Sequence, residues 1–265
     1  MQNLPIASSK SSLIPKGQPM VIQIAAIANK PKITWEPLPA DYVLPDDPVE
    51  NEQQPLLAAA LTDALGVANL IPLNALIVSN FGLVANVNKQ IVVKAPDWLY
   101  IPHVYPADAG VIRRSYTPYR EGGAVSIVME FLSDTDGGEF SVRSTPPYGK
   151  LYFYEQILQV PVYVTYDPYE QNLEVRVLEN GQYVIQTKNL HGRVWIAELN
   201  LFLGVWTGTR LQTTTGWLRW WDKDGHLLLW SFEKAEQESQ RAEREYQRAE
   251  ALATKLRELG IDPDF

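Results

Sequence analysis

The sequence predicts a fold of the α/β (α+β) class: a mixed sheet flanked by helices, extended by antiparallel hairpins and followed by a long C-terminal helix. Three observations lead to this prediction. Two apolar β-like runs, residues 126–133 and 161–168, are separated by a helical pattern over residues 150–160, which is the order of a parallel crossover unit. Glu179-Asn180-Gly181 separates two further β-like runs, as in a hairpin. Residues 233–259 contain no glycine or proline, as expected of one long helix.

The composition is that of a globular protein without disulfide bonds. Hydrophobic residues make up 46% of the chain and charged residues 20%, which excludes general disorder. No apolar run approaches the roughly 18 residues that a membrane span requires. The absence of cysteine excludes disulfides and thiolate metal sites, and it predicts a reducing, cytoplasmic location. We therefore expect no contact with a membrane.

The net charge of −8 counts against a nucleic-acid-binding protein, because such proteins usually carry a basic surface that neutralises phosphates. It does not exclude one, since a local basic groove or a divalent metal can offset an acidic surface. The three histidines, His103, His191 and His226, are too far apart in the sequence to predict a histidine-based metal site.

The first part of the chain predicts an arm, a helix and three strands. Residues 1–32 are poor in acidic residues and are expected to form a flexible N-terminal arm. After a proline-rich lead-in, residues 50–65 have apolar side chains at helical spacing, and Glu50 stands at the entrance of this helix. Residues 76–78, 82–87 and 90–94 are β-like segments that predict one strand followed by a hairpin.

Loops, hairpins and a tryptophan-rich region follow. Residues 102–124 predict a loop, and residues 204–208 predict a turn after an apolar element. Residues 217–221 and 226–230 predict a second hairpin around a glycine-containing turn. Four of the eight tryptophans lie in this hairpin, which would either pack as a β lid or stack on bases or sugars.

The C-terminal region, residues 233–265, predicts a charged helix that follows the main domain over residues 33–232. Small or apolar residues recur every seven positions, which favours a narrow coiled-coil seam: Ala235, Ala242, Ala249 and Leu256. Self-association through this seam predicts a homo-oligomer, most simply a dimer. The alternative is a solitary helix exposed to solvent.

Four residues stand out as a candidate site. Glu130 is the one acidic residue within an apolar strand; a buried glutamate either reaches solvent or an arginine at the strand end, or it belongs to a site. Asp97 follows Pro96 beside another strand, Glu50 opens a helix and Lys150 opens the next helix. This set suits metal-assisted phosphodiester hydrolysis, in which two carboxylates hold Mg²⁺ or Mn²⁺ and a lysine steadies the attacking water or the developing charge.

Five motifs in a fixed order resemble the Uma2 family of restriction-endonuclease-like proteins, of the type found in cyanobacteria, over roughly residues 33–232. They are Pro48-Val-Glu50-Asn51, Ala95-Pro96-Asp97-Trp98, Val128-Met-Glu130-Phe-Leu-Ser133, Lys150-x-x-x-Tyr154 and residues 160–168. The resemblance implies a PD-(D/E)XK nuclease core, a divalent metal held by Asp97 and Glu130, completion of the site by Glu50, and DNA as substrate. That pattern places a lysine two residues after the acid, where this chain has Leu132, so Lys150 would have to reach the site from its helix.

Three functions remain open at this point. The first is a Mg²⁺-dependent DNA endonuclease. The second is a catalytically silent nuclease-fold protein that binds or scaffolds and assembles through its C-terminal helix. A third is a carbohydrate-binding or hydrolytic protein that uses the tryptophan-rich hairpin. Convergence of Glu50, Asp97, Glu130 and Lys150 in a basic cleft would favour the first, whereas a salt bridge or a hydrophobic plug in that space would favour the second.

Overall fold

A six-stranded mixed sheet is the centre of the computed structural model, which describes residues 31–37, 39, 42, 52–133 and 138–259. In chain order the elements are β1 (Ile33–Thr34), α1 (Gln53–Val67), β2 (Leu76–Val78), β3 (Gly82–Val87), β4 (Gln90–Lys94), β5 (Trp98–Ile101), β6 (Ser115–Tyr116), β7 (Ile127–Phe131), a 3₁₀ turn (Gly138–Phe140), α2 (Lys150–Tyr152) continued by a π-helical turn (Phe153–Ile157), β8 (Val162–Asp167), β9 (Asn172–Glu179), β10 (Gln182–Ile185), β11 (Val194–Ile196), β12 (Leu201–Arg210), β13 (Thr213–Trp221) and α3 (Ser231–Glu258).

The strand order of the central sheet is β10-β9-β8-β7-β5-β2. Strands β7 and β8 are parallel and are joined through α2, whereas the other neighbours in this sheet are antiparallel. Two smaller sheets accompany it: β3 pairs with β1, β4 and β6, and β11-β12-β13 form a meander. The predicted mixed sheet with added antiparallel hairpins is therefore confirmed.

Alternation along the strands divides the core into two layers. In β7, Ile127 and Met129 pack in the same layer as Leu61 of α1, whereas Val128 packs in the opposite layer with Phe153. Successive side chains of a strand point to opposite faces, so Glu130 belongs to the face of Val128. The sequence alternation therefore directs Glu130 towards the layer that contains the helical segment after residue 150.

The helical segment that opens at Lys150 is shorter than the predicted 150–160. The amide of Leu158 donates to the carbonyl of Phe153 at 2.9 Å, a wider turn than that of an α-helix. Gln159 then adopts a positive φ of 52°, and Val160 leads into β8. The predicted helix ends early because this left-handed residue reverses the chain.

The predicted turn at residues 204–208 is wrong, because these residues lie inside β12. Their glycines serve close packing instead: a Cβ on Gly208 would clash with the ring of Trp206, and one on Gly204 would crowd Arg193 and Trp221. The predicted hairpin between residues 217–221 and 226–230 is also wrong. Strand β13 pairs with β12 across a turn at Leu211 and Gln212, and residues 226–230 contribute one isolated bridge.

Smaller differences concern the loop over 102–124 and the start of the first helix. Strand β6 lies within that loop and pairs in parallel with β3. The first helix is described from Gln53, while Glu50 lies outside the described residues. The predicted arm over 1–32 also falls almost entirely outside them, so the boundaries 1–32, 33–232 and 233–265 remain predictions.

We expect Leu211→Asn combined with Gln212→Gly to stabilise the protein by about 1 kcal/mol. Both residues have positive φ, 49° and 64°, which are the backbone angles of a type I′ turn and favour Asn-Gly. Urea unfolding of the double variant measures the change. An equal or lower free energy of unfolding would contradict the prediction.

The tryptophan-rich region packs as a lid, one of its two predicted roles. Trp217, Trp220 and Trp230 are fully buried. The indole N–H of Trp220 donates to the carbonyl of Leu61 at 3.2 Å, and that of Trp230 donates to the carbonyl of Ala60 at 3.0 Å. Because these rings are enclosed against α1, they are not available to stack on bases or sugars.

Helix α3 has no buried residue, and it begins beside α1, where Ser231 donates to the carboxylate of Asp63. The predicted seam residues Ala235, Ala242 and Ala249 are exposed. Self-association through this helix stays a prediction. Across the part of the chain that the structure describes, no helix combines the length and the apolar character needed to cross a membrane.

Candidate functional site

Asp97 and Glu130 lie side by side on neighbouring antiparallel strands. Trp98 of β5 pairs with Met129 of β7, and the next step of this register places Asp97 opposite Glu130. Side chains at directly opposed positions are neighbours on one face of a sheet. The carboxylate of Asp97 also accepts a hydrogen bond from the amide of Phe131, with 2.5 Å between Oδ2 and N. The two acids that the sequence singles out are therefore adjacent in space.

Glu130 is almost completely buried, with 1% of the residue exposed. Its Oε2 is 3.2 Å from the Nζ of Lys150, and its Oε1 accepts a hydrogen bond from the hydroxyl of Tyr154 at 2.9 Å. Both donors come from the helical segment that crosses this face of the sheet. Burial of this carboxyl group is tolerated here because an ammonium group and a hydroxyl both donate hydrogen bonds to it.

Lys150 and Tyr154 are four residues apart, a spacing that places both side chains on one face of a helical segment. The lysine that the strand lacks at Leu132 is thus supplied to Glu130 through space. The sequence contained a signal for Tyr154, namely the Lys150-x-x-x-Tyr154 spacing, but its contact with Glu130 requires the parallel crossover.

Glu139 is a further acid at this site, and it was not among the predicted site residues. Its Oε1 lies 3.3 Å from the Nζ of Lys150. Its Oε2 is buried and has no hydrogen-bond partner among the described residues. The hydroxyl of Tyr163 donates to the backbone carbonyl of Glu139 at 2.8 Å, which fixes this short turn against β8. No sequence pattern identified Glu139, because it lies in a 3₁₀ turn of only three residues between β7 and α2.

Burial raises the pKa of Glu130 from its ordinary value of 4.5 to about 8, and the positive charge of Lys150 limits this increase. Burial by itself would lower the pKa of Lys150, but the carboxylates around it outweigh this effect and raise its pKa, so the ammonium group stays protonated. Burial and the neighbouring Glu130 raise the pKa of Tyr154 well above its ordinary value. Tyr154 is therefore a neutral hydrogen-bond donor at this site.

We expect the metal-free protein to lose stability as the pH rises from about 4.5 to about 8. In that window the folded protein keeps a proton on Glu130 that the unfolded chain has released. One proton gives a slope of at most about 1.4 kcal/mol per pH unit. Urea unfolding in EDTA across this range should show a flatter profile for Glu130→Gln. The same replacement at the exposed Glu170 should leave the slope unchanged, and equal slopes in all three proteins would contradict the assignment.

Glu50, the fourth predicted site residue, lies outside the described residues, so its role stays a prediction. The start of α1 does reach this part of the sheet. The side-chain amide of Gln54 is buried and donates to the backbone carbonyl of Phe131, the residue after Glu130, at 2.9 Å. The first turn of α1 therefore packs against the strand end that carries Glu130.

The residue types at this site are those that a hard divalent cation prefers. Asp97, Glu130 and Glu139 offer carboxylate oxygens and no cysteine competes, but the ligand atoms of these three acids do not all lie within 4.8 Å of one another. The buried Oε2 of Glu139, which lacks a partner among the described residues, is an atom that a cation would satisfy. Lys150 contacts both Glu130 and Glu139 and offsets part of the repulsion among the acids, while the charges of Asp97 and Glu139 still contribute to the raised pKa of Glu130.

Among the described residues, one group brings three ligand atoms within 4.8 Å of one another: Asp222, Asp224 and His226. The three histidines are too far apart in the sequence to form a metal site together. His226 belongs to this group because its partners are two aspartates, Asp222 and Asp224, in the same short turn. Asp222 already accepts hydrogen bonds from the amides of Asp224 and His226. These hydrogen bonds within a surface turn explain why the three side chains lie close together.

Comparison with known families agrees with the resemblance seen in the sequence. A model of the Uma2 family, described as "Putative restriction endonuclease", matches residues 43–212. This range contains Asp97, Glu130, Glu139 and Lys150. No curated protein matches the chain.

Proposed function

Because the chain belongs to the Uma2 family of restriction-endonuclease-like proteins, we propose that it is a divalent-metal-dependent DNA endonuclease. Its site comprises Asp97, Glu130 and Lys150. The observation that supports this proposal best is the 3.2 Å separation between the Nζ of Lys150 and the Oε2 of Glu130. It provides a cation beside the strand acid even though position 132 is leucine.

In this proposal Asp97 and Glu130 would hold Mg²⁺ or Mn²⁺, with Glu139 as a third carboxylate and Glu50 completing the site. The cation would supply Lewis acidity towards the phosphate and the attacking water. The carboxyl group of Glu130 has to release its proton before it can bind a cation, so cation affinity increases with pH up to about 8.

The remaining groups act on charge and orientation. The ammonium group of Lys150 donates hydrogen bonds and stabilises the negative charge that develops on the phosphate. The hydroxyl of Tyr154 donates to Glu130 and so fixes the orientation of that carboxylate. A cytoplasmic location and assembly as a homodimer through α3 belong to the same proposal.

Cleavage of supercoiled plasmid tests this function. Wild-type protein is incubated with Mg²⁺, Mn²⁺ or EDTA beside Asp97→Ala and Glu130→Ala, all purified identically. We expect metal-dependent nicking or linearisation by the wild type and its loss in both variants. Activity that survives both substitutions would identify a contaminating nuclease and contradict the proposal.

A second candidate function is supported by the same contacts. Lys150 is already ion-paired with Glu130 and Glu139, and Glu130 binds a proton below about pH 8, so much of the acidic charge is offset without a divalent cation. A nuclease fold retained for binding or scaffolding would show this arrangement. Absence of wild-type cleavage with any divalent metal, together with a folded protein, would favour this second function.

A further inference from the structure

A cavity of about 420 Å³ lies next to the candidate site. It is lined by the β3–β4 hairpin, by the segment that leads into α2 and by Lys150 itself. Its volume is in the range of small-molecule pockets, roughly 300–1,000 Å³. Because Lys150 both lines the cavity and contacts Glu130, a ligand in the cavity would lie directly beside the acids.

The described lining of this cavity is positively charged although the chain as a whole carries a charge of −8. It includes Lys94, Arg114 and Lys150, of which Lys150 is also ion-paired with Glu130 and Glu139, and none of the described lining residues is acidic. The guanidinium group of Arg114 donates to the backbone carbonyls of Pro39 and Tyr42, at 2.7 and 3.0 Å. Carbonyl acceptors are neutral, so they hold the arginine in position and leave its charge available to an anion.

The other lining residues suit a ligand that contains a flat, partly polar ring. The ring of Tyr148 is largely buried and is held parallel to that of Tyr152, with 6.0 Å between centroids and 12° between planes. Ile91 and Val93 of β4 form an apolar part of the cavity wall. The amide side chains of Asn80 and Gln90, both in the lining, can donate and accept hydrogen bonds.

We propose that this cavity binds one nucleotide of a DNA strand, with its base against Tyr148 and its phosphate among Lys94, Arg114 and Lys150. Aromatic stacking, hydrogen bonding to the base edge and cations along the backbone are how proteins hold unpaired nucleotides. A base can enter such a cavity only after leaving the duplex stack. The site therefore selects single-stranded or unpaired DNA, and its position beside the scissile phosphate rests on the function proposed above.

Binding in EDTA tests this inference independently of cleavage. The probe is a fluorescein-labelled oligothymidylate, free or annealed to oligoadenylate, and the measurement is anisotropy at several salt concentrations. We expect the free strand to bind at least about tenfold more tightly than the duplex, since the duplex must first be unpaired. Equal affinity for the two forms would overturn the inference.

Charge variants test the proposed phosphate contacts. Lys94→Gln with Arg114→Gln should weaken binding of the single strand and reduce the slope of log K against log salt by up to about 0.7, the contribution of the one phosphate that both residues contact. If the double variant does not fold, Lys94→Gln alone should lower the affinity and the slope in the same direction by a smaller amount. Lys234→Gln, on exposed α3, removes the same charge and should leave the slope unchanged. Wild-type slopes in the cavity variants would overturn the inference.

Ring variants test the base contact. Tyr148→Leu keeps an apolar side chain but loses the ring, and it should weaken binding at least about fivefold. Tyr148→Phe keeps the ring and should bind like the wild type, while thermal unfolding confirms that both variants are folded. Equal affinity of the leucine and phenylalanine variants would overturn the inference. Oligothymidylate binding that depends on these residues, in a protein that cleaves no DNA, would support this site and refute the endonuclease function.

Discussion

Replacement of Lys150 by methionine is expected to lower the rate of metal-dependent DNA cleavage about 100- to 1,000-fold, the usual effect of removing one preorganised donor to a developing charge. Methionine keeps the length and apolar stem of the side chain but contributes no charge. The ammonium group that lies 3.2 Å from Glu130 and 3.3 Å from Glu139 is lost. Plasmid cleavage under single-turnover conditions measures the rate.

Two controls separate chemistry from stability in this experiment. Lys234→Met removes an exposed lysine from α3 and should cleave at the wild-type rate. Lys150→Met combined with Glu139→Gln removes one of the two acids that lose their cation, so it should regain stability without regaining cleavage. A Lys150→Met protein that cleaves within about threefold of the wild type would show that Lys150 takes no part in the reaction.

Glu233→Ala is expected to lower the free energy of unfolding by about 3 kcal/mol, because it leaves a buried charge without its partner. Arg219 is fully buried in the tryptophan lid, and its guanidinium group lies 3.3 Å from the ring centroid of Trp230. Two of its nitrogens donate to the carboxylate of Glu233, at 3.1 and 2.6 Å. Burial lowers the pKa of Arg219 and Glu233 opposes that shift, so this ion pair keeps the buried guanidinium charged, although its Nε has no hydrogen-bond partner among the described residues.

Urea unfolding of Glu233→Ala, Glu233→Gln and Glu236→Ala measures this contribution. The glutamine variant can still accept a hydrogen bond from the amide of Trp230, which the glutamate accepts at 2.8 Å, so it isolates the loss of charge. Glu236 is exposed on the same helix, and its removal should cost less than about 0.5 kcal/mol. If Glu233→Ala were as mild as Glu236→Ala, the ion pair would not anchor α3 to the lid.

The sequence pattern predicted correctly those strands and turns whose conformation depends mainly on neighbouring residues. The segments 76–78, 82–87 and 90–94 form strands with those boundaries, because alternating β-branched residues and Asn-containing turns specify a hairpin without distant help. The turn after Glu179 was predicted for the same reason. Where a long-range contact competes with a local signal, the prediction was wrong. Gly204 and Gly208 read as turn residues, yet their role is to leave room for side chains packed against β12.

By itself the sequence singled out Asp97 and Glu130 as candidate site residues, since an acid within an apolar strand is unusual and the order of the motifs around both acids matches a family pattern. Only the tertiary structure decided that they are neighbours, and that the ammonium group of Lys150 contacts both Glu130 and Glu139. The physical reason is that strand register and the path of a crossover bring together residues far apart in the chain. No local spacing encodes the contacts that result.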